Sequence, residues 1–168
     1  IAMQEVANSE DGHTLILGWS SKIHTIISEL TIANENQRKP RIVVLADKDK
    51  VEMEDEIRDK TPNLRNTKVI CRRGNPNDMT DLEIANPHDA KSIIILAHET
   101  EGAAGHASVN ADSQTIKTIL AITNNPDRRD KPYHVVAEMR GKKNLDVAKM
   151  VGKDEVELIL SDDLVARI

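Results

Sequence analysis

The sequence predicts a three-layer α/β/α domain built on a doubly wound, parallel, six-stranded sheet. Three observations carry the prediction. Six short apolar runs alternate with segments of helical periodicity from Gly12 onward. The runs are continuous rather than alternating, which is the pattern of strands covered on both faces. The stretch from Gly12 to Asp47 reads as one β-α-β unit: an apolar strand, a tight turn at Gly18, a helix, and a second apolar strand ending on an acid. Right-handed crossovers then give a Rossmann-like strand order of 3-2-1-4-5-6.

Residues 1–11 are polar and read as a flexible lead-in. Residues 12–168 read as a single domain, cut within its last helix. The first strand is expected at 13–17. The first helix runs from about Ser20 to about Asn36 and buries Ile23, Ile26, Ile27 and Leu30, spaced by three and four. Pro40 and the polar run before it end that helix. The second strand is 41–46, and an acidic second helix follows at 49–60. The third strand, 67–72, ends in the turn Arg73-Gly74-Asn75-Pro76. Asp78 or Thr80 caps a short third helix carrying Leu82 and Ile84. The fourth strand, 92–97, is the most apolar run of the chain. A long loop is expected from His98 to about Asn110, containing Gly102 and Gly105, and then a helix at 111–123 that Asn124-Asn125-Pro126-Asp127 stops. The fifth strand is 133–138, the next helix 143–151 ended by Gly152, and the sixth strand 155–160. A last helix starts near Ser161, with Ser161 or Asp162 as its cap.

The 168 residues permit one domain with a sizeable core, and that core is aliphatic: there is no Phe, one Trp and one Tyr. A net charge of −5 argues against nucleic acid as a partner, because neutralising phosphates needs a basic face. The single cysteine, Cys71, excludes a disulfide framework and a zinc quartet and reads as a buried strand thiol. No apolar run approaches the roughly 18 residues that cross a bilayer, so no membrane insertion by this segment is expected.

The ligand crevice of such a fold lies at the carboxyl ends of strands 1, 2 and 4. Gly18 stands where a dinucleotide turn has its first glycine, but Ser20 occupies the second position and Ile23 the third. Ser20 adds a side chain where pyrophosphate needs close backbone approach, so dinucleotide binding is expected to be weak or absent. What remains is a helix start with free N–H groups, two hydroxyls (Ser20, Ser21) and Lys22, suited to an anion; the other reading is that Ser20 caps the helix. Asp47 suits a ribose hydroxyl or, alternatively, caps the second helix, and Lys48 beside it suits a phosphorylated ribose. Ala97 and His98 close the fourth strand at the same crevice. Glu99, Glu101 and Asp112 place three acids on one short segment, the oxygen chemistry that calcium takes, against the alternative of a plain polar loop. No nucleophile elbow, phosphate-binding lysine loop or zinc-protease helix is present, so no enzyme is predicted.

Several strings together resemble a known family: HTLILGWSSKI at 13–23, VVLADKDKVEME at 43–54, VICRRGNPND at 69–78, DAKSIIILA at 89–97, NADSQTIKTILAI at 110–122 and HVVAEM at 134–139. They resemble the first regulatory lobe of the CASTOR/POLLUX ion channels, within the wider class of RCK domains related to TrkA potassium-uptake subunits. The resemblance implies a lobe on the cytosolic side of a tetrameric cation channel. It implies assembly of copies into a gating ring, with the pore domain and a second lobe of the same protein as partners. Calcium, or a nucleotide in other members, is the implied ligand. Gly18, Trp19, Ser20 and Lys22 match the family's first turn, and Asp47 its acid after strand 2. Gly74 and Asn75 match a pair that meets an adenine edge. The segment from His98 to Asp112 matches an acidic loop. A mononucleotide would seat its ribose on Asp47 and its base near Asn75. Two rival readings stay open: an NAD(P)-binding oxidoreductase domain, and an assembly module with an empty crevice.

Overall fold

The structure is a computed structural model that describes residues 12–99 and 104–164, with 104–109 given by their backbone alone. The expected lead-in at 1–11, Glu101, Gly102 and the residues after Leu164 lie outside the described residues.

Six strands form one sheet: β1 Thr14–Leu17, β2 Arg41–Ala46, β3 Lys68–Arg73, β4 Ser92–Ile95, β5 Val135–Met139 and β6 Val156–Leu160. Their order is β3-β2-β1-β4-β5-β6 and every pairing is parallel, as the alternation of strands and helices predicts. β1 is buried along its whole length because it is central and covered on both faces. Side chains alternate between the faces with period two. Leu15, Leu17, Val43, Leu45, Ile93 and Ile95 enter one cluster with Leu82, Ile119, Ile122 and Tyr133. Ile16, Ile42, Val44 and Ile94 enter the other with Ile23, Ile26, Ile27, Met53 and Ile57. Each fully buried Leu or Ile contributes about 1.5–3 kcal/mol, so the two-faced burial dominates stability. Cys71 lies in the second cluster, and burial pushes its thiol up to about 12.

The helices are α1 Ile23–Ala33, α2 Lys50–Lys60, α3 Met79–Ile84, α4 Ala104–Thr123 and α5 Leu145–Gly152. Asp78 caps α3, accepting from the N–H groups of Thr80 (2.8 Å) and Asp81 (3.2 Å). α4 begins at Ala104, not at Ala111 as expected. Its first turns carry Ala104 and Ala107, which favour helix by propensity without supplying an apolar stripe, so periodicity alone misses them. After β6 the chain makes a 3₁₀ turn, Ser161–Asp163, with no side-chain cap from Leu160; the expected last helix, with Ser161 or Asp162 as its cap, runs on into residues that lie outside the described ones.

At the amino end of the sheet Arg128 forms a two-pronged pair with Glu155 (2.9 and 2.6 Å). Glu155 also accepts the Tyr133 N–H at 2.7 Å. The Arg128 hydrogen bond holds the Glu155 carboxyl below its usual value against the opposing effect of burial. This ties the entries of β5 and β6 together and leaves the carboxyl end of the sheet to carry a site.

Candidate functional site

β1 lies between β2 and β4, so the crossovers on its two sides diverge and open a crevice at their carboxyl ends. Gly18 turns the chain there with φ 99° and donates its N–H to Leu45 O at 2.9 Å. A Cβ at Gly18 would stand 3.1 Å from Leu96 O, so the turn needs glycine for its backbone angle and for packing against the exit of β4.

The next residues depart from expectation. Ser20 does not cap α1: the helix starts three residues later, Lys22 is its flanking residue, and no side chain caps it. Ser20 is buried, its carbonyl accepts the Ile23 N–H (3.1 Å), and its hydroxyl accepts the Lys22 N–H (3.3 Å). Ile23 sits wholly inside the second core cluster. Ser21 holds Glu99, whose Oε1 accepts from the Ser21 N–H (3.0 Å) and hydroxyl (2.6 Å). These two bonds, the hydroxyl's first, keep the Glu99 carboxyl below its usual value, outweighing burial. A carboxylate of the chain itself therefore occupies the seat that the sequence offers to a phosphate. Lys22 is also engaged, donating to Glu138 Oε2 (2.8 Å) and to the carbonyl of Ser161 (2.6 Å).

On the other side of the mouth, Asp49 and not Asp47 caps α2, accepting the Glu52 N–H at 3.0 Å. Asp47 is left exposed with Arg73 Nε at 3.6 Å. Lys48 Nζ lies 4.8 Å from the Trp19 ring centre and 3.1 Å from Glu56 Oε1. Trp19 meets His24 edge-on at 5.9 Å, and His24 Nε2 is 3.1 Å from Glu56 Oε2. Burial raises the Glu56 pKa, but the hydrogen bonds from Lys48 and His24 prevail and it is lowered. Trp19 and Lys48 thus belong to a packed polar cluster joining the first turn to α2.

Gly74 donates to Ala46 O (3.0 Å), and a Cβ there would come within 2.9 Å of Leu45 Cδ1. Asn75 donates its N–H to Asp81 (2.8 Å) and accepts the Asn77 N–H (2.9 Å). Asn77 then bridges to α4, its side-chain amide donating to Gln114 Oε1 and its Oδ1 accepting from the Thr118 hydroxyl at 2.7 Å. This pins the loop after β3 across the crevice. Among the described residues a small pocket of about 10 Å³, room for one water, lies among Leu17, Gly18, Asn75, His98 and Thr115. The Ala97 N–H is taken by Glu138 Oε1 at 2.8 Å.

Asp112, the third of the expected acidic trio, has a structural task in the fold. It is 1% exposed and accepts from the Arg140 N–H (2.8 Å), the Gly141 N–H (2.9 Å) and Asn144 Nδ2 (2.6 Å). Both of its oxygens are used in holding the turn after β5. Among the described residues no group of three or more His, Cys, Asp or Glu side chains is arranged to hold a metal ion.

The residue that the sequence reading missed is Glu138, 2% exposed on β5 and bonded to both Lys22 and Ala97. The signal was present: an acid inside the apolar run 135–139 has to find a partner, since an unpaired buried charge is not tolerated.

Residues 9–148 match the family of calcium-activated potassium channel slowpoke-like RCK domains. The chain is 35% identical over 159 residues to the probable ion channel CASTOR of Oryza sativa subsp. japonica, covering 95% of this chain and 17% of that protein. It is 35% identical to the ion channel CASTOR of Lotus japonicus, covering 95% and 18%. It is 33% identical to the probable ion channel POLLUX of Arabidopsis thaliana, again covering 95% and 18%. The chain thus spans less than a fifth of the length of these relatives. Among solved structures, GsuK bound to ADP shares the fold at TM-score 0.56 and 19% identity, over 88% of this chain and 31% of that one. The human SLO3 gating ring does so at TM-score 0.58 and 15% identity, over 88% and 24%.

Proposed function

The chain belongs to the slowpoke-like RCK domain family of calcium-activated potassium channels, and from that premise we propose that it is a cytosolic regulatory lobe of a potassium-type cation channel. Copies of it assemble with the pore domain and a second lobe into a gating ring, and ligand binding biases that ring between two geometries. Only a ligand with different affinity for the two geometries can gate the pore.

The observation that carries the reading is the occupied crevice. Glu99 fills the anion seat on Ser21, Lys22 is committed to Glu138 and Ser161, and among the described residues the pocket beside Asn75 has room for about one water. A catalytic dinucleotide site needs that space open, and a regulatory lobe does not. This favours regulation over an NAD(P)-dependent oxidoreductase. Among the described residues no helix is long and apolar enough to cross a membrane, which accords with a lobe outside the bilayer.

The family's description makes calcium the first ligand to test. Calcium takes six to eight oxygens. With Asp112 occupied, Glu99 and Glu101 are the remaining acids of the segment, and a neighbouring subunit or backbone carbonyls must complete the shell. The test is a calcium titration of this chain and of the assembled channel, each beside a Glu99→Gln, Glu101→Gln double variant. The expected result is weak binding by the chain, tight binding by the assembly, and loss of the response in the variant. An unchanged response in the variant assembly would remove this segment from calcium sensing.

A further inference from the structure

Glu138 is a carboxylate held inside an apolar strand between Ala137 and Met139, all three side chains being buried. Both of its oxygens are bound, one by the Ala97 N–H at the end of β4 and one by Lys22 Nζ (2.8 Å each). Lys22 stands immediately before α1 and reaches on to the carbonyl of Ser161, the first residue after β6, at 2.6 Å. Ser161 has a second tether, its hydroxyl donating to Met139 O at 3.3 Å. Leu164, three residues on, is fully buried in the cluster that contains α1. One ion pair therefore joins the exits of β4, β5 and β6 to the start of α1.

Glu138 is buried while Lys22 keeps 34% of its side chain exposed, so the pair adds little net stability, yet removing Lys22 leaves a buried carboxylate without its cation, which is unfavourable. That asymmetry suits a position that is either closed or open. The neighbouring residue, Ser21, is the one that holds Glu99. Consecutive residues thus grip the loop after β4 and the segment leaving β6. A shift of the turn Ser20–Lys22 moves both contacts together.

We propose that Lys22 and Glu138 form a latch that couples the mouth of the crevice to the segment Ser161–Leu164. Closed, the latch fixes the direction in which the chain leaves the sheet. Open, it releases that segment while the sheet stays intact. The inference rests on the regulatory reading for its purpose but not for its test.

The test is amide hydrogen exchange on the whole chain, wild type beside Lys22→Met, Glu138→Gln and the double variant. Loss of a charge-assisted hydrogen bond to the Ser161 carbonyl is expected to speed exchange at 161–164 by about tenfold in Lys22→Met, with the amides of β1 and β2 unchanged. Glu138→Gln keeps an acceptor for the Ala97 N–H and is expected to loosen the same four residues. The double variant is expected to be no looser than Lys22→Met alone, as two members of one contact require. Unchanged exchange at 161–164 in a folded Lys22→Met, or an even rise over all strands, would overturn the latch. If Lys22→Met does not fold, Lys22→Arg takes its place. Its planar fork keeps the charge on Glu138 but does not reproduce the ammonium's second contact, so a selective rise at 161–164 is again expected and a flat profile overturns the proposal. A calcium arm separates the two readings. A selective variant effect in a protein whose exchange ignores calcium sustains the latch and rejects calcium as its trigger. A calcium effect at 161–164 that persists in Lys22→Met rejects the latch and leaves calcium sensing standing.

Discussion

Replacing Asp112 with alanine removes the acceptor for three donors at once: the N–H groups of Arg140 and Gly141 and the amide of Asn144. Each hydrogen bond to a charged acceptor is worth about 1.5–3 kcal/mol, so a simple sum is roughly 4.5–9 kcal/mol. The sum overstates the loss, because Arg140, Gly141 and Asn144 are only partly buried and regain water when the carboxylate goes. About 3–5 kcal/mol is the expected destabilisation, in the range of a buried polar network broken on one side. For a domain of this size each kcal/mol moves Tm by about 2–4 °C, so the melting midpoint should fall by about 6–20 °C. Asp112→Asn should fall less, since it keeps one acceptor oxygen but sets an NH₂ against a donor. Thermal unfolding followed by circular dichroism, with calcium absent, reads the effect. A Tm within about 2 °C of wild type for Asp112→Ala would refute the structural assignment and return Asp112 to the list of cation ligands.

Two further predictions follow from single residues. Gly18→Ala places a side chain at φ 99° and 3.1 Å from Leu96 O, and should destabilise by about 1–3 kcal/mol. Gly12→Ala, also at positive φ but with nothing within 4 Å, should be milder in urea unfolding; equal midpoints would remove the Leu96 contact from the account. His13 is 1% exposed, bonded through Nε2 to Ala85 O, with no partner for Nδ1 among the described residues, and burial lowers its pKa. The unfolded chain therefore binds its proton at higher pH than the folded one, so stability is full above the unfolded value near 6.5 and declines as pH falls from there towards the folded value. A His13→Gln variant should flatten the stability profile in that window, and an undiminished slope would place the proton uptake elsewhere.

The sequence by itself determined the fold. Apolar runs such as Thr14–Leu17 and Ile42–Ala46 are continuous because strands covered on both faces have no polar side, and that pattern is local. The turn at Gly18, the cap at Asp78 and the crevice at the carboxyl ends of the strands are equally local or follow from handedness. Sequence also placed Gly18, Asn75 and His98 at the mouth, because strand ends are where they fall. What it could not assign was the partner of each. Ser21 meets Glu99 across 78 positions, Lys22 meets Glu138 across 116, and Asp112 meets Gly141 across 29. Those pairings exist only because β4 and β5 follow β1 in the sheet and bring separate strand ends side by side. A lone acid or lysine in a sequence carries the same charge whether it awaits a ligand or already holds a neighbour. The tertiary structure decides which, because a hydrogen bond requires a donor within about 3 Å and only the folded chain sets that distance.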